Sequence, residues 1–242
     1  MICTEHLAKH FGSKDAVVDL NLDIPEGTFF CFLGPNGAGK TTTIKMLTGL
    51  LHPSAGRAVL GGIDIQKNPV AAKQLLGYVP DHPFLYDKLT GMEFMRFVAG
   101  LYRMPESEFN ARCGELLELF EIAQVADQLV EDYSHGMRQK LSFASCFLHA
   151  PRIVIVDEPW VGLDPKNIRF VKDYLRRKCR DEGLTVFMST HTLSIAEEVA
   201  DLIGIINRGR LVQLGTVAEI KAFSRNPGSL EDVFLELTEA SE

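Results

Sequence analysis

The sequence has no long hydrophobic run. Its longest stretch without Asp, Glu, Lys or Arg is the fourteen residues Gly183 to Ala196, which also contains Ser, Thr and His. A membrane-spanning helix needs about 18 apolar residues, so no span is expected. Excess positive charge is missing as well. Lys and Arg total 25 against 32 Asp and Glu, a formal net charge of −7, and no nucleic-acid partner is expected. The opening MICTEHLAKHF carries Glu5 and lacks the apolar core of a secretory signal, which makes the cytoplasm the expected compartment. Cysteine is scarce and unpaired in sequence: Cys3, Cys31, Cys113, Cys146 and Cys179 form no CxxC pair. Neither a disulfide framework nor a zinc ribbon is expected, and the five read as small buried hydrophobes. The seven histidines contain no HExxH, and His6 with His10 lies in an extended-looking segment, so no metal site is expected from them.

What is present is the composition of a globular chain, 46% hydrophobic and 24% charged over 242 residues, enough for a large core. Leu20, Leu22 and Ile24 alternate with Asp19, Asn21 and Asp23, the period of a strand with one wet face. An antiparallel sheet is therefore expected first. TFFCFL at 28–33 is a continuous apolar run, the mark of a parallel strand covered on both faces. Ile153 to Val156 and Leu184 to Met188 have the same character with helical patterns between them, which predicts an α/β parallel sheet. A helix over Pro165 to Glu182 places Ile168, Val171, Leu175 and Cys179 on one face; Lys172, Arg176, Arg177 and Arg180 are read as a mostly solvated face. Gly61-Gly62 and the stretch Asn207 to Gly209 read as hairpin turns in peripheral β elements. From 91 to 150 the pattern is helical, with Phe94, Phe97, Val98 and Leu101 and then Leu116, Leu119 and Phe120 at core spacing. The expected organisation is one domain over 1–242: a core of about 1–80 and 151–220, a helical lobe of about 81–150, and a tail of 221–242 forming a short helix with a frayed end.

Residues 34 to 42 read Gly34-Pro35-Asn36-Gly37-Ala38-Gly39-Lys40-Thr41-Thr42. This fits G-x-x-x-x-G-K-[ST] between a buried strand and a helical stretch, the setting of a phosphate-binding loop. A triphosphate needs several backbone N–H groups at once, and side chains at positions 37 and 39 would obstruct that approach. Lys40 would bind the β- and γ-phosphates, Thr41 would offer its hydroxyl to Mg²⁺, and Thr42 would help at the phosphates. Asp157-Glu158 ends the apolar strand beginning at Ile153, at the edge where ligands of open α/β sheets bind. Asp157 would hold Mg²⁺ through its water shell, and Glu158 would orient or deprotonate the attacking water.

Tyr133-Ser134-His135-Gly136-Met137-Arg138-Gln139, followed 18 residues later by Asp157-Glu158, resembles the signature motif of ABC ATPases. Gly162-Leu163-Asp164-Pro165 looks like the D-loop of that family, Ser189-Thr190-His191 looks like its switch histidine, and Phe11-Gly12 stands where its adenine-stacking aromatic occurs. The resemblance runs from about residue 2 to residue 237. It implies a P-loop (RecA-like) core with an N-terminal antiparallel β subdomain and an inserted helical subdomain. It also implies head-to-tail pairing of two cassettes, as homodimer or heterodimer. Each ATP would lie between the P-loop of one cassette and Ser134, His135, Gly136 and Met137 of the other. Ser134 and Gly136 precede a helical pattern from Met137 to Leu148, so they would present a helix N-terminus to a γ-phosphate. Two departures stand out: Asp81 occupies the usual Gln position of the Q-loop, and His135 replaces the commoner Gly.

The resemblance further implies that a transmembrane permease docks near Phe84 and Tyr86, by helix-in-groove recognition, and holds the chain at the inner face of the membrane. LTGMEFMRFVAGLY and GSLEDVFLELTE look most like ATPases of ABC-2-type export systems. The leading expectation is an ATPase powering a separate permease, with export favoured over import. The rival is a soluble or regulatory ATP switch with weak hydrolysis, for which Asp81 and His135 are the supporting features.

Overall fold

Strand β1 (Ile2–Phe11) and strand β2 (Lys14–Ile24) form an antiparallel pair that starts the chain. Leu20, Leu22 and Ile24 are buried while Asp19, Asn21 and Asp23 face water, so the alternation in sequence is the alternation in space. β3 (Phe29–Leu33) is buried at every residue, and helix α1 (Lys40–Leu47) follows it. β4 (Ala55–Leu60) pairs with β1, and β5 (Ile63–Asp64) completes a four-stranded antiparallel sheet in the order β2-β1-β4-β5. Leu60 pairs with Ile63, and the two residues between them, Gly61 and Gly62, have φ of +56° and +83°. A two-residue turn with both φ positive matches strand twist and favours glycine at both places.

Next come α2 (Pro69–Gln74), β6 (Leu76–Val79), α3 (Gly91–Leu101), α4 (Glu106–Leu119) and α5 (His135–Phe147). α3 starts with a full capping box: the Thr90 hydroxyl accepts from Glu93 N at 3.1 Å, and the Glu93 carboxylate accepts from Thr90 N at 2.8 Å. The chain then alternates β7 (Ile153–Asp157), α6 (Pro165–Glu182), β8 (Thr185–Thr190), α7 (Leu193–Val199), β9 (Leu202–Asn207) and β10 (Arg210–Gly215). α8 (Val217–Lys221) and α9 (Leu230–Glu239) follow. This computed structural model describes residues 1–160, 163–223 and 229–239.

The second sheet has the order β10-β9-β3-β8-β7-β6. All its pairings are parallel except β10 with β9. Alternate residues of β3 serve two cores. Phe29, Cys31 and Leu33 pack with Val154, Val156 and Met188 and with the helical segment around Phe120 and Phe143. Phe30 and Phe32 pack with Phe187, at ring separations of 5.0 and 5.3 Å, and with Ile44 and Leu20 on the side of the antiparallel sheet. Each fully buried Phe contributes about 1.5–3 kcal/mol relative to exposure, so this strand fixes the layers on both sides.

Several sequence expectations change here. Phe97 and Leu101 are 41% and 63% exposed; α3 buries Phe94, Met95 and Ala99 in the core, with Met92 and Val98 partly buried against it. Lys172 is buried and bonds Glu198 rather than standing on a solvated face. The 207–209 turn is a hairpin, but β9 is an interior strand between β3 and β10. Cys3 is only half-buried, whereas the other four cysteines are buried thiols.

Candidate functional site

Because β3, β6, β7 and β8 run parallel, the segments that leave their C-terminal ends meet along one edge of the sheet. There Gly34–Thr42 leaves β3, Asp81 lies just past β6, Asp157-Glu158 ends β7, and His191 follows β8. A cleft of about 360 Å³ at this edge is lined by Phe11, Asn36, Gly37, Lys40, Thr41 and Asp81, with Gly39, Thr42 and Glu158 completing its wall.

The loop geometry explains its glycines separately. Gly39 has φ of +114°, and a Cβ there would come within 2.5 Å of the Ala16 carbonyl oxygen. Gly37 has φ of +80° with open space around it, so its requirement is conformational alone. Gly34 and Ala38 are buried, Pro35 is half-buried and Asn36 is exposed. Gly39 is the N-cap of α1, and no side chain caps the helix, so the backbone N–H groups of its first turn are available to an anion.

Lys40 is 7% exposed, and its ammonium donates to the Gly34 and Pro35 carbonyls at 2.7 and 3.3 Å. Burial lowers its pKa, opposed by the charges of Glu158 and Asp157. Asp157 is 1% exposed; one carboxylate oxygen accepts from Ser189 Oγ, while Oδ2 is buried without a partner. Burial pushes this carboxyl up, the Ser189 and Thr41 hydroxyls hold it down, and Asp81 adds to the rise. A hydroxyl bonded to a carboxylate that keeps one orphan oxygen is a hard-oxygen donor set of the kind Mg²⁺ takes, together with water and phosphate oxygens.

Glu158 sits at φ of +44°, a conformation costing a β-carbon residue about 1–2 kcal/mol. Its N–H donates to the Ser189 carbonyl at 3.2 Å, and its Oε1 lies 2.9 Å from His191 Nδ1. The Asp81 carboxylate is engaged by its neighbour, accepting from His82 N at 2.8 Å with His82 Nδ1 at 3.1 Å. Phe11 is 51% exposed with the Lys9 ammonium 5.1 Å from its ring centroid. It belongs to the cleft and not to either core.

The signature residues stand apart from this cleft. Ser134 and His135 are exposed, Gly136 and Met137 half-buried, and none of the four lines it. α5 starts at His135, two residues before the expected Met137, because the Ser134 hydroxyl caps it by accepting from Met137 N at 3.3 Å. Asp164 likewise caps α6, accepting from Asn167 N at 3.0 Å. That N–H is the chief reason its carboxyl lies below the usual range. Gly162 lies outside the described residues.

Two supporting residues stand inside the quoted motifs with no role that the sequence assigns to them. Ser189 belongs to the run before His191, and its hydroxyl holds Asp157. Gln139 is fully buried; its Nε2 donates to the Pro159 carbonyl at 3.3 Å, joining α5 to the segment after Glu158. The available signal was a polar residue at helical spacing with buried Phe143 and Cys146.

Fold and site together define an α/β P-loop ATPase. Residues 17–161 match the ABC transporter family. The linearmycin resistance ATP-binding protein LnrL of Bacillus subtilis (strain 168) is 33% identical over 220 residues, which cover 91% of this chain and 70% of that protein. The bacitracin transport ATP-binding protein BcrA of Enterococcus faecalis is 35% identical over 225 residues, covering 93% and 72%. A solved ATP-binding subunit of an ABC transporter superposes with a TM-score of 0.92 at 30% identity, covering 98% of this chain and 99% of that one. The chain belongs to the ABC transporter family and is one of its ATP-hydrolysing, ATP-binding cassettes.

Proposed function

We propose that this cassette pairs head to tail with a second one around ATP and drives a separate transmembrane permease in export. The carrying observation is a division within the chain: Lys40, Asp157, Glu158 and His191 converge at one sheet edge, while Ser134 to Met137 present a capped helix start elsewhere. The chain carries residues for each half of a composite site, and Ser134 to Met137 do not line the cleft that holds the other half. In a pair, Ser134, His135, Gly136 and Met137 of one chain would close the ATP of the other.

The geometry supports the following role assignments. The amides of Gly37 to Thr42 and the Lys40 ammonium would hold the phosphates. Asp157 and Thr41 would hold Mg²⁺, which when bound neutralises charge on the phosphate oxygens. Glu158 would orient the attacking water, His191 would fix Glu158 and reach toward the γ-phosphate, and Phe11 would stack on adenine. Asp81 with its His82 partner would border the metal and water, and Asp164 would shape the turn into α6 near the partner chain. With these hydrolytic groups all in place, a weakly hydrolysing switch is the poorer account.

No helix among the described residues is long and apolar enough to cross a membrane, so the transport path would belong to another chain and this one would sit at the inner membrane face. The docking region would be the exposed aromatics, Phe84 at 84% and Tyr86 at 56%. Tyr86 meets Phe97 edge-on at 5.2 Å, and α3 also borders a groove of about 290 Å³ lined by Leu50, Val98, Leu101 and Tyr102. Export is supported by the relatives named for linearmycin resistance and bacitracin transport and by the sequence runs in α3 and α9. The test is ATPase activity of the free chain and of the chain co-purified with a candidate permease, followed by substrate movement in vesicles. Absence of stimulation would count against the permease, and uptake in place of efflux would reverse the direction.

A further inference from the structure

A second cavity lies apart from the nucleotide cleft. It measures about 570 Å³ and lies between α4, the turn entering β7, and α6. Arg152 and Leu184 on its wall precede β7 and β8, whereas Asp157 and His191 end or follow those strands, so the cavity opens at the opposite end of the sheet. Its volume falls within the range of small-molecule sites.

The charges around it do not cancel. Arg152 is paired with Glu26 at 2.7 Å and Lys178 with Glu182 at 2.7 Å. Arg112 and Arg177 form no ion pair among the described residues, against one unpaired acid on the wall, Glu115. The balance is one positive charge. Arg112 is held in place by its Nη2 donating to the Phe147 carbonyl at 3.0 Å, and its Nε is a buried N–H with no acceptor. An anion in the cavity would meet the guanidinium through its terminal nitrogens, in charge-assisted hydrogen bonds. Arg177 stands 5.7 Å from the Tyr174 ring centroid, and Leu116, Leu119 and Phe147 form an apolar wall beside it.

We propose that this cavity binds a small soluble amphiphilic monoanion, its carboxylate or sulfonate head between Arg112 and Arg177 and its apolar body against Leu116, Phe147 and Tyr174. The ligand would bridge α4 to α6 at a site separate from ATP.

The probe is 8-anilino-1-naphthalenesulfonate, titrated by fluorescence into the full chain, with decanoate as competitor. The expected result is one saturable site per chain, displaced by decanoate and not by ATP. Arg177→Gln and Arg112→Gln should each weaken it about tenfold or more, while Phe84→Ser should leave it unchanged. Arg177 is exposed on α6, so its variant tests the site even where Arg112→Gln unfolds the chain. Unchanged affinity in Arg177→Gln, loss of the site in Phe84→Ser, or displacement by ATP overturns the proposal. Displacement by phosphatidylglycerol vesicles and not by decanoate also overturns it, in favour of a lipid headgroup.

Discussion

The Oε1 of Glu158 and the Nδ1 of His191 lie 2.9 Å apart, joining the end of β7 to the end of β8 across the mouth of the nucleotide cleft. Glu158 is the less exposed partner, with its side chain at 19% against 65% for His191. Nδ1 is the ring nitrogen that faces the carboxylate. Glu158→Gln should abolish steady-state turnover and retain ATP binding. His191→Ala should lower kcat by about 10²–10⁴-fold, the range for a positioned acid–base group. Because the two act as a unit, the double variant should be little slower than Glu158→Gln alone. Single-turnover and steady-state ATPase assays with nucleotide-binding titrations check this, and near-normal turnover in Glu158→Gln removes Glu158 from its role.

Gly37 and Gly39 should respond differently to alanine. At position 37 the added methyl meets nothing, so the cost is the left-handed backbone alone, about 1–2 kcal/mol. At position 39 the same strain is joined by a clash with the Ala16 carbonyl and close approach to Ile206 Cδ1 at 3.2 Å. Urea unfolding should show Gly39→Ala as clearly the less stable variant, and equal midpoints would contradict the packing account.

Acid should destabilise the fold through His149. Its ring stacks on Tyr102 at 3.6 Å, and its Nε2 lies 3.1 Å from the Leu76 carbonyl. Burial depresses its pKa from 6.5 to about 4. The unfolded chain therefore binds this proton more readily than the folded one. The contribution is complete above about pH 6.5 and is lost as pH falls toward 4, with a magnitude on the order of 2–3 kcal/mol. Denaturant titrations between pH 7.5 and 4.5 should show a shallower fall in stability for His149→Gln than for the parent chain.

Phe84→Ser should leave the melting temperature of the free chain within a degree or two, because an 84% exposed ring has little burial to lose. Its expected effect is on stimulation of ATPase activity by the permease, which should fall several-fold. Undiminished stimulation would move the contact elsewhere along α3.

The amino-acid order alone is enough to read off the phosphate loop, the acidic strand end and the order of the motifs. These are local: glycines that permit positive φ, a lysine one residue past the last of them, and carboxylates directly after an apolar strand. It also determined β3 as a doubly covered strand and β2 as a half-wet one, since both patterns are periodicities of side-chain direction. Tertiary structure alone decided what lies beside what. Ser189 holds Asp157 only because β7 and β8 are parallel neighbours in a register that pairs those two residues. Lys172 is buried because Glu198 arrives from α7, and Phe97 is exposed because α3 turns a narrower face to the core than its apolar spacing suggests. Arg112 and Arg177 are 65 positions apart in sequence and share a cavity only after α4 and α6 pack around the turn into β7. A periodicity reports which side of an element is apolar, while burial and pairing depend on the neighbour, and the fold chooses the neighbour.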